Sequence, residues 1–329
     1  MTRKILLACV FATTLVATGF ESASAHGLIG KRFLPATLAT DDPFVADELS
    51  LPTIFHIKKP GTGDTPPTRE TDLSGEFSKR LSPDLGLSVS GTFKLLDPDP
   101  GKSVTGFDNL ELSLKYQVFK SPEHETLVSL GVSWDVGGTG SKKVDAESFD
   151  TVTPSLFFGK GFGDLPDQLE LLKPLALTGA FGWAVPSRVR NQKITTDPNT
   201  GDVDVEREFN PTVFKWGFSV QYSLQYLQSY VRDVGIPALF NRMIPLVEVN
   251  LETPIDGPRA RYTTGSINPG VIWFGRYLQL GIEAVVPINA DFSKNLGVLA
   301  QVHFYLDDIL PKVFTWTPFH GVLGPTQPR

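Results

Sequence analysis

Cysteine is nearly absent from this sequence, since only Cys9 occurs among 329 residues. Cys9 lies within residues 1–25, which have the features of a secretory signal peptide: the basic pair Arg3-Lys4, an apolar stretch and a small-residue cleavage site at 23–25. The mature chain would therefore hold no cysteine. This excludes disulfide bridges, thiol catalysis and thiolate metal sites.

The mature sequence also lacks long apolar runs and an excess of basic residues. No stretch approaches the roughly 18 consecutive apolar residues of a membrane-spanning helix. The mean hydropathy of −0.04 and the 41% of hydrophobic residues are typical of a folded chain rather than a disordered one. Because the formal net charge is −6, we expect no nucleic acid among the partners.

What the sequence has instead is alternation of apolar and polar residues with a period of two. The run 107–119 sets Leu112 and Leu114 on one face against Glu111 and Ser113 on the other. The same pattern recurs in 125–136, 211–226 and 295–306. Such runs are about twice the ~5–6 residues of a usual strand and long enough to cross a bilayer at a tilt. They predict a barrel with lipid outside and a polar interior, because only closure pairs every backbone amide there.

We expect an all-β, antiparallel, up-and-down transmembrane barrel of twelve strands over 51–306, with ten or fourteen strands as alternatives. The predicted strands are 51–58, 71–80, 84–96, 107–119, 125–136, 148–160, 173–185, 211–226, 242–253, 265–274, 277–288 and 295–306. Their connections alternate between long loops and short turns. Two connections on the short side, 161–172 and 227–241, are too long for turns and are predicted to hold short helices.

The alternation of loop lengths also predicts an orientation. Outer-membrane barrels place short turns in the periplasm, so both chain ends, including a tail at 307–329, are expected there. Aromatic residues fall at both ends of the strands, as in the two belts of a transmembrane barrel. The outer belt is Phe93, Trp134, Trp183 and Trp216, and the inner belt is Phe77, Phe119, Tyr222, Tyr226, Phe274, Tyr277 and Phe304. The sequence thus predicts the outer membrane of a Gram-negative bacterium, with its lipid as neighbour.

Polar residues of the strands should face the lumen. The candidates for lining a pore are Lys94, Glu111, Lys115, Lys215, Glu248, Asn250, Gln279, Glu283, Gln301 and His303. Twelve strands lie between the eight that enclose a filled interior and the 16–18 that enclose a water channel, so a narrow or partly plugged bore is expected. The mixed charges fit either a structural salt-bridge network or a constriction that selects solutes.

Three functions follow from this architecture. The leading hypothesis is a channel or transporter that passes small solutes passively. The second is a structural or surface-binding barrel with a closed lumen, in which the long loop 186–210 acts. The third is a lipid-modifying enzyme, for which only His56 is suitably placed, although no serine motif accompanies it.

Residues for other chemistry are few. The glycines of 159–163 lack the strand–helix context of a nucleotide site, so no cofactor is expected. Cleavage after residue 25 would give His26 a free amine, which together with its imidazole could bind copper. His303 is the best second ligand for such a site. The sequence predicts no catalytic residue and, at most, this weak metal site.

The segment after the cleavage site carries a motif. Its sequence, HGLIGKRFLPATLATDDPFVADEL over 26–49, resembles the opening of a family of uncharacterised proteobacterial outer-membrane proteins described as transporters. Elsewhere the similarity is to barrel architecture alone. The resemblance implies an ordered periplasmic segment before the barrel, such as a plug, and it gives no substrate.

The residues of 26–50 support a packed segment independently. Its large apolar residues are Phe33, Leu34, Leu38, Phe44 and Val45. Such side chains need shelter from water, which the inner mouth of the barrel offers. Asp41 and Asp42 are expected to pair there with Arg80 or His303. A free linker and a docking arm for a periplasmic protein remain the alternatives.

Overall fold

The computed structural model describes residues 27–61, 65–196, 203–314 and 316–319. Twelve long antiparallel strands in this part of the chain form a closed barrel, which confirms the predicted fold. The strands are β1 (Glu48–Lys59), β2 (Thr68–Arg80), β3 (Leu85–Pro98), β4 (Leu110–Ser121), β5 (Thr126–Val136), β6 (Thr151–Gly161), β7 (Leu175–Pro186), β8 (Val213–Tyr222), β9 (Met243–Pro254), β10 (Thr264–Phe274), β11 (Leu278–Pro287) and β12 (Gly297–Tyr305). The predicted signal peptide and His26 lie outside the described residues.

The ring closes where β12 pairs with β1. The pairing runs from Val298 opposite His56 to Tyr305 opposite Glu48. The register of β1 shifts toward both neighbours around Pro52, which has no N–H to give to either ladder. Because closure leaves no free edge between β12 and β1, the backbone groups of the wall are paired without water.

Shorter strands accompany the barrel. Val104–Phe107, which precedes β4 in the chain, pairs with Phe93–Leu96 near the C-terminal end of β3. Arg190–Thr196 and Val203–Phe209 pair with each other in the connection between β7 and β8. Ahead of β1, Leu28–Ile29 pairs with Arg32–Phe33 to make a small N-terminal hairpin.

The two ends of the barrel differ in their connections. The turn end carries the connections 81–84, 122–125, 162–174, 223–242 and 275–277. The loop end carries the connections 60–67, 99–109, 137–150, 187–212, 255–263 and 288–296. The segment before β1 and the tail after β12 both meet the barrel at the turn end. There the N–H of Phe319 donates to the carbonyl of Leu81 at 2.7 Å.

The outer face of the strands is mainly apolar and the inner face mainly small or polar. The exception is a buried apolar cluster of Ile57, Val285 and Leu299, which packs against Leu38 and Ala39. In β4, Leu114 and Tyr116 are 40% and 38% exposed on the outside. The intervening side chains, Glu111, Ser113 and Lys115, point into the lumen. The period-two pattern of the sequence thus sets the orientation of each side chain in the wall.

The long connections at the turn end contain short helices, as predicted. Asp167–Leu172 is a 3₁₀ helix, and Leu224–Val231 continues from a single α turn into a π turn. Among the described residues no helix is both long and apolar enough to cross a membrane.

The predicted extension of the eighth strand to Tyr226 is wrong. β8 ends at Tyr222 because the N–H of Ser223 donates to the carbonyl of Pro174 at 3.1 Å, which turns the chain. The hydroxyl of Ser223 then accepts from the N–H of Tyr226 at 3.2 Å and caps a helical turn. Tyr226 is consequently 7% exposed and does not belong to the inner aromatic belt.

The two faces of β4 make a direct test of the wall. We expect Leu114→Arg to destabilise a barrel folded in lipid vesicles by about 2–4 kcal/mol, because it places a charge on the lipid face. Ser113→Arg, one residue away on the inner face, should cost far less, because it meets the polar lumen. Urea unfolding followed by heat-dependent gel mobility measures both. Equal stabilities would show that the face assignment is wrong.

Candidate functional site

Residues 27–47, here called the inner segment, lie inside the barrel. They contact inward-facing positions on most of the wall: Gly86, Lys115, Ser129, Gly159, Ala176, Gly217, Glu248, Gln279 and Gly281. Leu34 is 1% exposed and packs with Ile29 and Ala176. The apolar side chains of the segment thereby gain the shelter that their sequence requires.

The first anchor of the inner segment is Arg32, whose side chain is fully buried at the turn end. Its Nε donates to Glu125 Oε2 at 3.0 Å, and its Nη1 donates to the carbonyl of Pro174 at 2.9 Å. Nη2 donates to the carbonyl of Lys173. The guanidinium carbon lies 3.7 Å from the centroid of the Tyr226 ring. A buried charge of this kind is tolerated because its hydrogen bonds and its ion pair are both supplied.

Tyr226 completes this cluster. Its hydroxyl donates to Glu125 Oε1 at 2.9 Å, while the N–H of Gly163 donates to Glu125 Oε2 at 3.1 Å. Burial, together with the neighbouring carboxylate, raises the pKa of Tyr226 to about 12. The phenol therefore keeps its proton and remains a donor. Three connections of the turn end converge on Arg32 in this way.

The second anchor is Glu248 of β9, which is fully buried. Its Oε1 accepts from the N–H of Leu38 at 2.7 Å. Its Oε2 accepts from the N–H of Ala39 at 3.1 Å and from the N–H of Thr40 at 2.7 Å. Three successive backbone donors form a concave anion site, and hydrogen bonds to a carboxylate are stronger than neutral ones. Glu248 thus fixes the part of the segment that lies deepest in the lumen.

The aspartates of the inner segment pair differently from the prediction. Lys115 of β4 donates to Asp41 Oδ1 at 2.9 Å and to the carbonyl of Asp42 at 2.7 Å. The expected partners, Arg80 and His303, are engaged elsewhere. The prediction is wrong for Asp41, because the segment reaches past the mouth into the lumen, where Lys115 binds its carboxylate.

Arg80 instead holds the end of the segment to the rim. Its Nε donates to Asp47 Oδ2 at 3.0 Å, and Lys79 donates to Asp47 Oδ1 at 2.8 Å. The Nη2 of Arg80 also donates to Asp307 in the tail, at 2.7 Å. Asp47 is fully buried, so the start of β1 and the tail are fixed together at the turn end.

Glycines in the wall make room for the inner segment. A Cβ at Gly281 would lie 2.5 Å from Leu38 Cδ1, and a Cβ at Gly159 would lie 2.9 Å from Leu34 Cδ1. Glycine weakens a strand unless another chain approaches closely, so these two mid-strand positions mark the contact. This is a signal in the sequence that our prediction did not use.

A cavity of about 460 Å³ remains beside the inner segment, along the wall formed by β1 to β8 and completed by residues of β9 and β12. Hydroxyl groups dominate its lining. One row of inward positions across β2 to β6 consists of Ser78, Ser88, Ser113, Ser133 and Thr153. These short side chains keep the space open and offer hydrogen bonds along it.

The ten predicted lumen residues fall into groups. Six line the cavity: Glu111, Lys115, Lys215, Asn250, Gln301 and His303. Glu248 and Gln279 instead hold the inner segment, the latter through the carbonyl of Ala36. Glu283 is buried on neighbouring β11, and Lys94 pairs with Asp108 near the loop end. The cavity residues that the prediction missed are Glu48, Glu76 and the row of hydroxyls.

The histidines lie in separate places. His56 is exposed on the outer face of β1, where its Nδ1 and Thr71 Oγ1 are 2.7 Å apart. His303 lines the cavity, with its Nδ1 2.8 Å from Ser50 Oγ and its Nε2 3.5 Å from Glu48 Oε2. Within the described ranges no three histidine, aspartate or glutamate side chains come together as a metal site. His26 lies outside those ranges, so its pairing with His303 stays a prediction.

Comparison with known proteins gives a fold and no family. No protein-family model and no curated protein matches the sequence. An outer-membrane channel from Pseudomonas putida F1 is 12% identical, over 81% of this chain and 97% of that one, with a TM-score of 0.52. The NanC porin is 10% identical, over 78% and 98% of the two chains, with a TM-score of 0.42. The toluene transporter TbuX of Ralstonia pickettii is 12% identical, over 82% and 91%, with a TM-score of 0.38.

The first of these alignments carries the structural conclusion. The chain has the fold of an outer-membrane β-barrel, as the channel from Pseudomonas putida F1 does. At such low identities, the solutes named for those proteins apply to those proteins alone.

The Glu248 anchor can be tested without a transport assay. Glu248→Ala removes the acceptor of three backbone N–H groups, and each buried donor left unpaired costs about 1–3 kcal/mol. We expect the amides of residues 38–40 to exchange hydrogen several-fold faster in the variant, as measured by mass spectrometry. Glu252→Ala is the control, because Glu252 also lies on β9 but is half exposed. If both variants exchange alike, Glu248 does not hold the segment.

Proposed function

We propose that this protein is an outer-membrane channel through which small solutes pass passively, along the cavity between the inner segment and the wall of β1 to β8. The observation that carries the proposal is that this cavity, beside the inner segment, is lined by serine, threonine and charged side chains. A barrel with a purely structural lumen has no need of an open hydroxyl-lined space.

The location follows from the same barrel. Its apolar outer face fits the lipid of the outer membrane of a Gram-negative bacterium, and its short turns fit the periplasmic side. Since the inner segment and the tail meet the turn end, both termini are periplasmic in this proposal. Small solutes and outer-membrane lipid are then the partners, and no nucleic acid is involved.

The inner segment acts as a fixed plug that narrows the bore. Its three anchors, at Arg32, Glu248 and Asp47, support a permanent place in the lumen. A docking arm for a periplasmic protein would leave these buried contacts without a purpose. The lipid-modifying enzyme is not retained, because the imidazole of His56 bonds to Thr71 and, in the part of the chain that the structure describes, to no serine.

Conductance measurements test the proposal. Purified protein in planar bilayers should show small, stable channels. Deleting 28–45, which keeps Asp47 and its contacts with Lys79 and Arg80, should enlarge each channel several-fold, because the plug is lost. Heat-dependent gel mobility confirms that the deleted protein is folded.

Two other results would contradict the proposal in different ways. A wild-type protein without conductance, beside a conducting deletion, would support a structural or surface-binding barrel whose lumen is closed. Equal conductance in the two proteins would show that the segment does not restrict the bore.

A further inference from the structure

We propose that the cavity selects cations, and that its solutes are small organic cations bearing ammonium groups. This inference rests on the proposed channel function and specifies its substrate class. It follows from how charge is distributed and compensated within the lumen, which the number of charged residues alone does not reveal.

Carboxylates recur along one row of the wall. Pairing between neighbouring strands places His303, Ser50, Glu76, Ser90, Glu111 and Asp135 side by side from β12 to β5. Glu76 and Glu111 line the cavity. Each accepts a hydrogen bond from a serine, from Ser78 at 3.1 Å and from Ser113 at 3.3 Å respectively. The row therefore offers oxygen acceptors at regular intervals.

The basic side chains of the lumen already have acidic partners. Lys115 is bound to Asp41, Lys94 to Asp108, and the ammonium of Lys215 lies 3.9 Å from Glu252. In contrast, no lysine, arginine or histidine of the described chain forms an ion pair with Glu76, Glu111 or Asp135. Two lysines, Lys115 and Lys215, thus face five carboxylates in the cavity lining, those of Asp41, Asp42, Glu48, Glu76 and Glu111. The lining therefore has an excess of acidic groups that a mobile cation can balance.

Two buried side-chain oxygens in the cavity lining also lack hydrogen-bond partners in the described chain. Gln301 Oε1 and Thr40 Oγ1 have none among the described residues, although the two side chains are 9% and 4% exposed. Both residues line the cavity. An amide oxygen only accepts hydrogen bonds, so Gln301 requires a donor.

These features together fit an ammonium group. It carries positive charge for the carboxylates and several N–H donors for the amide and hydroxyl oxygens. A narrow passage that carries mainly one sign of charge strengthens the attraction, because it concentrates the field of the fixed charges. A small anion would meet the same row with repulsion.

Reversal potentials test the charge preference. Wild-type channels in a planar bilayer with a tenfold KCl gradient should show a potential of the sign expected for cation selectivity. The selectivity should weaken as salt rises, since the Debye length falls from about 10 Å at 0.1 M to 3 Å at 1 M. Putrescine, a cation with two ammonium groups, should block the channel current at a lower concentration than succinate, an anion of similar length.

Paired variants locate the effect. Glu76→Gln combined with Glu111→Gln keeps side-chain size and removes two charges, so the ratio of cation to anion permeability should fall several-fold and block by putrescine should weaken. Glu123→Gln is the control, because Glu123 is exposed on the turn 122–125 away from the cavity. It should leave both measurements unchanged. The salt dependence of the wild type tests the inference even if the double variant does not fold.

The outcomes separate the two proposals. Absence of conductance in the wild type overturns the channel function itself. Conducting channels with a potential of zero, or of the sign for anions, overturn only the cation preference. An unchanged permeability ratio in the folded double variant also overturns it, because the selectivity would then reside elsewhere.

Discussion

The structure depends on the pairing of β12 with β1, because this pairing removes the two edges that the sheet of twelve long strands would otherwise have. In an apolar surrounding an unpaired backbone group costs several kcal/mol, so the wall is stable only as a complete ring. Closure also defines an inside. Once a lumen exists, every second residue faces it, and the inner segment has a place to pack that no open sheet could provide.

Much of the fold could be predicted because its determinants are local. Alternation of residue type within a strand and turn residues between strands indicated the number of strands and their faces. β4 (Leu110–Ser121) shares residues 110–119 with the predicted run 107–119, whose first residue, Phe107, belongs to a separate short strand. The wrong prediction at Tyr226 arose because a local sequence pattern competed with a contact that is distant in the chain. Its aromatic ring at a strand end suggested an interface residue, whereas the carbonyl of Pro174, some fifty positions away in the chain, turns the backbone at Ser223.

The interior could be predicted only in part. The lumen side of Glu248 and Lys115 follows from alternation, but their partners do not. Glu248 binds residues 210 positions earlier, at Leu38, and Arg32 binds Glu125 at a separation of 93. The row of hydroxyl residues from Ser78 to Thr153 could not be predicted from single strands either. It depends on the register in which the five strands β2 to β6 pair with one another. Charges at Asp41 were foreseen, yet the depth of insertion decided which cation they met.

The way the inner segment is attached has a mechanical consequence. Arg32 and Asp47 attach the inner segment at the same end of the barrel. The residues between them therefore form a loop whose two ends lie at one mouth and whose apex lies inside the lumen. Tension on the chain before residue 27 ends at the Arg32–Glu125 pair and does not reach the apex. The clearance beside the loop is then set by how its apex is shaped around Glu248. The inner segment would thus narrow the barrel permanently and would not be pulled out of it.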